Sequence, residues 1–167
     1  LVKALKDEHI VYGLDIVAPE VEGVVKTFSW DDLEAGDVPA IDAIIHLAGK
    51  AHDTKNKSAA DVYFKVNTGL TQKIFDYFLA SKAKKFVFFS TAKAAADRVE
   101  GVLTEDVVPS PVGPYGESKI KAEEYILGAC GSHFDYEVTA AFMRAFNPYP
   151  VGTMVSISDG RHGVVIK

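Results

Sequence analysis

Apolar residues follow two rhythms along this 167-residue chain. Short, nearly continuous apolar runs alternate with longer stretches in which apolar positions recur every three or four residues. His9 to Ile16 and the weaker Val24 to Phe28 read as strands, separated by a loop punctuated with proline and glycine. Ile41 to Gly49 is apolar almost throughout and ends in small residues, the pattern of a strand buried on both faces of a parallel sheet. Lys85 to Thr91 repeats that pattern, and Tyr136 to Phe146 is a last strand stopped at Asn147-Pro148. Between them, Leu70, Ile74, Tyr77 and Phe78 fall at helical spacing, and Ser58 with Asp61 has the spacing of a capping box just upstream. A loop with Pro109, Pro111 and Gly113 leads to a helix opening at Pro114 and expected to end near Gly128 or Gly131. Leu1 to Glu8 reads as the last turns of another helix. Strands alternating with helices predict an open, parallel α/β sheet with right-handed crossovers.

Composition narrows the class. Apolar residues make up 48%, charged residues 25%, and the net charge is −5, as in an ordinary soluble globular domain with one core. A pI near 5.5 with scattered lysines argues against nucleic acid or an anionic membrane as partner. No apolar run reaches the ~18 residues of a membrane span, and the charged N-terminal segment lacks a signal-peptide core, so a cytoplasmic location is expected. The only cysteine, Cys130, excludes an internal disulfide and reads as a structural thiol. His46 and His52 lie six apart without a third clustered ligand, and no metal site is expected.

Candidate chemistry gathers where such sheets bind ligands, at the carboxyl ends of strands where strand order reverses. Asp15, His46 to Gly49, Ser90 with Thr91, and Asn147 sit at those ends, although polar residues there also serve as caps and turns. On the helix opened by Pro114, Tyr115 and Lys119 are four residues apart and share a face. A phenol ordinarily titrates near ~10, and an ammonium about 4 Å away supplies about 4 kcal/mol toward the phenolate at an effective dielectric of about 20. That pairing makes Tyr115 a candidate general acid or base. The alternative is an exposed helix whose Tyr and Lys are merely neighbours.

Taken in order, Asp15, His46-Leu47-Ala48-Gly49, Asn67 in Val66-Asn67-Thr68-Gly69, Phe86 to Thr91, Tyr115-x-x-x-Lys119 and Arg144 to Pro148 resemble the extended short-chain dehydrogenase/reductase family. Its members are NAD-dependent nucleotide-sugar epimerases, dehydratases and reductases. The resemblance implies a Rossmann-like doubly wound sheet over residues 1–148, with 149–167 the start of a substrate region or a hairpin tail. It implies that Tyr115 is the acid/base acting on a sugar hydroxyl, that Lys119 lowers its pKa and holds the nicotinamide ribose, and that Thr91 bonds the same hydroxyl. Asp15 would accept from the adenosine ribose hydroxyls, which favours NAD over NADP. Leu47, Ala48, Gly49 and Ser90 would line the cofactor, Asn67 would tie their loop in place, and Lys93 and Asn147 would meet the substrate.

The chain also departs from the pattern. The family's first strand and glycine-rich turn are absent, and Ser29 stands where an acidic residue would meet the adenine. In a sheet of order 3-2-1-4-5-6 the first strand is central, so strands two and four are expected to have unpaired edges. A fragment is expected on these grounds, with very weak NAD binding by these residues alone. Met154 to Ser158 and Gly163 to Lys167, flanking Asp159-Gly160, read as a hairpin. Three functions follow in order: a nucleotide-sugar 4-epimerase, a 4-keto-sugar reductase, and a non-catalytic nucleotide-binding protein on the same sheet. Homodimerisation through the helices near Asn67 to Lys82 and Tyr115 to Cys130 is implied by the resemblance alone.

Overall fold

The computed structural model describes residues 1–51, 59–98, 101–104, 107–133, 154–156 and 162–164. A short helix α1 (Val2–Leu5) precedes β1 (Val11–Leu14) and β2 (Val24–Phe28), which pair in parallel. Helix α2 (Trp30–Ala35) follows, then β3 (Ala43–His46). A long helical run comes next: α3 (Ala60–Tyr63), a π-helical turn (Phe64–Gly69) and α4 (Leu70–Ala80). It leads to β4 (Lys85–Phe88), the single-turn α5 (Ala92–Ala95) and the long α6 (Pro114–His133). An antiparallel pair, β5 (Met154–Ser156) with β6 (His162–Val164), comes last among the described residues, and the residues between its strands lie outside them. The expected strand at Tyr136 to Phe146, and the boundary at residue 148, lie outside the described residues.

The parallel α/β character is as the alternation of strands and helices dictates, but the sheet is divided. Among the described residues β1 pairs with β2 alone, and β3 with β4 alone, in register from Ala43 opposite Lys85 to His46 opposite Phe88. Among the described residues β1 and β3, the expected second and fourth strands, each keep one unpaired edge. Lys84 N–H donating to the Asp42 carbonyl at 2.8 Å and Phe89 N–H donating to the His46 carbonyl at 3.2 Å extend the second ladder at both ends. An ion pair between Lys73 of α4 and Glu34 of α2 ties the two halves together.

The core lies on one face of the β3–β4 pair. Phe75 of α4 meets Phe86 edge to face with centroids 4.9 Å apart, Phe78 sits 5.3 Å from the same ring, and Tyr125 of α6 reaches Phe75 at 6.3 Å. Phe86 and Phe88 project to this side because alternate strand residues share a face. The opposite side was expected to be buried too. Instead Val87 is 42% exposed, because α4 and α6 cover one face and nothing among the described residues covers the other.

Local signals account for several helix ends, not always the anticipated ones. The capping box forms at Ser29, whose hydroxyl accepts from Asp32 N–H while the Asp32 carboxylate accepts from Ser29 N–H; Gly36, at φ 79°, closes α2 in the left-handed region. The N-cap of α3 is Ala59, with extended backbone and no side-chain bond, and Ser58, expected to open a capping box with Asp61, lies outside the described residues. The loop expected after Thr91 contains α5, capped by Thr91 itself. Helix α6 runs through both Gly128 and Gly131 to His133, so neither glycine stops it.

Candidate functional site

The carboxyl ends of β3 and β4 are bound to the start of α6 through a chain of polar contacts centred on the π-helical turn. A π turn is rare and widens the helix locally, and here it presents Asn67, 2% exposed, to both neighbours. Asn67 Oδ1 accepts from Lys50 N–H at 2.7 Å, while Nδ2 donates to the Lys50 carbonyl at 3.2 Å and to Ser118 Oγ at 2.9 Å. Ser118 donates in turn to the Tyr115 carbonyl at 2.8 Å, and the Thr68 hydroxyl donates to the Ser118 carbonyl at 2.8 Å. Every hydrogen-bonding atom of the Asn67 amide group is used, which a buried amide requires.

His46 closes β3 within the same network. Thr71 Oγ1 donates to the Asn67 carbonyl at 2.6 Å, so its contact with His46 Nε2 at 2.9 Å makes that nitrogen the donor. Burial, assisted by the charge of Lys119, lowers the His46 pKa to about 4. The imidazole is therefore neutral and structural at neutral pH, which also fits its place beside the Phe88 ring at 5.5 Å and the Phe86 ring at 6.3 Å.

Lys119 is the buried cation of the site, 7% exposed. Its ammonium donates to the Phe89 carbonyl at 2.6 Å and lies 4.3 Å from the centre of the Phe88 ring. Burial pushes its pKa down, and the carboxylate of Glu123 opposes that shift. Tyr115 lies one turn before it, half-buried, with its ring edge-on to Tyr63 at 6.2 Å. Gly49, at the mouth of β3, faces both Asn67 and Lys119: a Cβ there would stand 3.0 Å from Asn67 Oδ1 and 3.9 Å from Lys119 Nζ.

Thr91 starts the segment after β4, two residues past the carbonyl that Lys119 holds. Its Oγ1 accepts from Lys93 N–H at 3.3 Å, capping α5 with an acceptor lone pair and not with its own proton. Helix α5 packs on α6 so closely that a Cβ on Gly116 would meet the Lys93 carbonyl oxygen at 2.3 Å. Ser90 donates its hydroxyl to Glu123, and Lys93 pairs with Asp97 at 2.8 Å. Gly49, Asn67, Lys119, Ser90 and Thr91 are thus joined through contacts of α6, with Tyr115 on the same helix. Leu47 is 54% exposed beside them, with Ala48 half-buried. Asp15 is not part of this cluster: it ends β1 on the other strand pair, and its Oδ1 accepts from Ile16 N–H at 2.6 Å. Asn147 lies outside the described residues.

Sequence reasoning missed Gly116, Ser118, Thr71 and Glu123. Of these only Ser118 carries a local signal, as a small polar residue directly before Lys119 on a helix face turned to the core. Among the described residues no group of three His, Cys, Asp or Glu side chains could hold a metal ion, and no helix is long and apolar enough to cross a membrane.

The sequence profile of the NAD dependent epimerase/dehydratase family matches residues 29–161. A UDP-glucose 4-epimerase of Dictyostelium discoideum is 30% identical over 148 residues, which are 87% of this chain and 41% of that protein. Among solved structures, MoeE5 in complex with UDP-glucuronic acid and NAD aligns over 81% of this chain and 46% of its own, with TM-score 0.68 and 22% identity. A short-chain dehydrogenase/reductase superfamily protein from Agrobacterium tumefaciens with bound NAD gives TM-score 0.64 and 25% identity over 80% of this chain and 42% of its own. The chain spans about two fifths of the length of the curated relatives it matches. The divided parallel sheet is thus part of a Rossmann fold, and the chain belongs to the NAD dependent epimerase/dehydratase family.

Proposed function

We propose that the protein acts as an NAD-dependent nucleotide-sugar 4-epimerase, in which a sugar is oxidised at C4 and reduced again from the other face. The observation that carries this reading is the buried Lys119 ammonium, bound to the Phe89 carbonyl two residues before Thr91 and one turn past Tyr115. The likeness to a relative named as a UDP-glucose 4-epimerase supports the choice of reaction and of substrate class.

The residues present suit the cofactor. Gly49 lets the fixed Asn67 amide come up against the loop backbone beside the Lys119 cation, since a Cβ there would stand 3.0 Å from Asn67 Oδ1 and 3.9 Å from Lys119 Nζ. NAD would be held by Asp15 at its adenosine ribose, by the backbone of Leu47 to Gly49, by Ser90, and by Lys119 at its second ribose, with Asn67 keeping the loop in place. When bound, NAD supplies the two-electron oxidation and re-reduction of the sugar carbon. Tyr115 takes the proton from the C4 hydroxyl and returns it later. Thr91 donates its hydroxyl to the same oxygen as that oxygen gains carbonyl character. Lys119 supplies positive charge next to the phenol. Asn147 contacts the sugar or its phosphates, and Lys93 does so by exchanging its partner Asp97 for the substrate.

The test is interconversion of UDP-galactose and UDP-glucose by the intact protein and its Tyr115→Phe variant. The variant is expected to keep NAD and lose turnover by at least ~100-fold, as removal of a general acid/base does. Unchanged turnover in Tyr115→Phe overturns the assignment. Stoichiometric consumption of NADH with a 4-keto sugar, in place of interconversion, assigns a reductase instead.

A further inference from the structure

Glu123 has no part in the roles assigned above. It lies one turn beyond Lys119 on the same face of α6, half-buried, and accepts the hydrogen bond of the Ser90 hydroxyl. Lys119 holds the carbonyl of Phe89, the residue before. Two consecutive residues at the exit of β4 are therefore gripped by two residues of one helix face, through a backbone acceptor and a side-chain donor. Thr91 comes next and caps α5, whose Lys93 carbonyl abuts Gly116, the residue after Tyr115. The Thr91 hydroxyl thus stands between two points fixed to α6, one at Ser90 and one at Lys93.

From this geometry we propose that Glu123 is a positioning residue: by holding the Ser90 hydroxyl it fixes the exit of β4 and sets the Thr91 hydroxyl relative to Tyr115. The proposal rests on the reading of Tyr115 and Thr91 as the groups that meet the sugar hydroxyl. Burial pushes the Glu123 carboxyl up, while the Ser90 bond and the Lys119 charge pull it down and Glu124 adds to the rise. A site that resists charge accommodates an uncharged side chain of the same shape, so the anchoring depends on the hydrogen bond more than on the carboxylate's charge.

The experiment compares wild type, Ser90→Ala, Glu123→Ala, Glu123→Gln and the Ser90→Ala/Glu123→Ala double variant in the intact protein. It measures kcat and KM for UDP-galactose, melting temperature, and amide hydrogen exchange across residues 89–93. Ser90→Ala and Glu123→Ala are each expected to lower kcat by about 10- to 100-fold, the scale of a small misplacement of a reacting group, with KM changed by no more than about twofold. The double variant should be no slower than the slower single, because both remove one shared bond. Glu123→Gln accepts the same bond and should restore kcat to within about threefold of wild type. Exchange across 89–93 should rise about tenfold or more in Glu123→Ala and stay at the wild-type rate in Glu123→Gln. Multiplying effects, a Gln variant as slow as the Ala variant, unchanged exchange in Glu123→Ala, or a lowered melting temperature with normal kcat would each overturn the proposal. Failure of the catalytic reading is separable. If wild type does not interconvert UDP-sugars, that reading fails, and the exchange rates of the Ala and Gln variants decide on the anchor by themselves.

Discussion

The carboxamide of Asn67 donates to Ser118 Oγ at 2.9 Å, across 51 residues of sequence, and so joins the π-helical turn to the second turn of α6. Asn67→Ala removes that bond and both bonds to Lys50, and leaves the polar groups of Lys50 and Ser118 to find new partners in a buried place. Destabilisation of about 1–3 kcal/mol is expected, read from the midpoint of urea unfolding with an unchanged slope. Asn67→Asp should recover only part of this, because the carboxylate keeps the acceptor for Lys50 N–H and loses both donors.

Gly116→Ala places a methyl group 2.3 Å from the Lys93 carbonyl oxygen and 3.0 Å from Pro111 Cβ. The first obstacle is backbone and cannot swing aside, so α5 has to move off α6. A loss of about 1–3 kcal/mol is expected, as for other overpacked sites. Since α5 opens on Thr91 and Gly116 follows Tyr115, kcat should fall as well, measured well below the melting temperature.

His46 gives a pH dependence of defined sign. Its folded pKa, about 4, lies below the unfolded value of 6.5, so the unfolded chain takes up a proton first as pH falls. Stability contributed by the neutral ring is complete above about pH 6.5 and is lost toward pH 4, at about 1.4 kcal/mol per unit and about 3 kcal/mol in all. Glu123, raised by burial, contributes the opposite slope in the acid range, so the diagnostic quantity is the difference between wild type and His46→Gln. That difference should shrink steadily between pH 6.5 and 4 in urea unfolding followed by circular dichroism.

Ser29→Ala tests the cap of α2. The hydroxyl of Ser29 accepts from Asp32 N–H at 3.2 Å, and its loss should cost about 0.5–2 kcal/mol. Ser29→Asp should recover only part of the stability, since its carboxylate caps the same amide but stands against the Asp32 carboxylate, to which the Ser29 hydroxyl donates at 2.7 Å. Thermal denaturation of the three proteins side by side reads this directly.

Much of this architecture was written in local pattern. Strands β1 to β4, the amphipathic run of α4 and the opening of α6 at Pro114 follow from residues adjacent in sequence, and so does the parallel α/β class. Their ends were less legible, because α3 opens on Ala59, which has no side chain to cap it, and α6 runs on through Gly128 and Gly131 to His133. The one-sided burial of β4 was hidden, since an apolar run looks the same whether one face or both are covered. Tyr115, Lys119 and Thr91 stood out by spacing and by resemblance. The residues that hold them did not: Glu123 meets Ser90 across 33 positions, and Gly116 matters only because a carbonyl from another helix lies against it.

Four residues near the start of α6 each grip a different neighbour: Gly116 the carbonyl of Lys93, Ser118 the amide of Asn67, Lys119 the carbonyl of Phe89, and Glu123 the hydroxyl of Ser90. One residue inserted or deleted between Gly116 and Glu123 would turn everything beyond it by about 100° about the helix axis. No single side chain could then compensate, because contacts before and after the change would point in different directions. In this stretch the number of residues is under as tight a constraint as their identity, and point substitutions should be tolerated at many positions where a one-residue change of length is not.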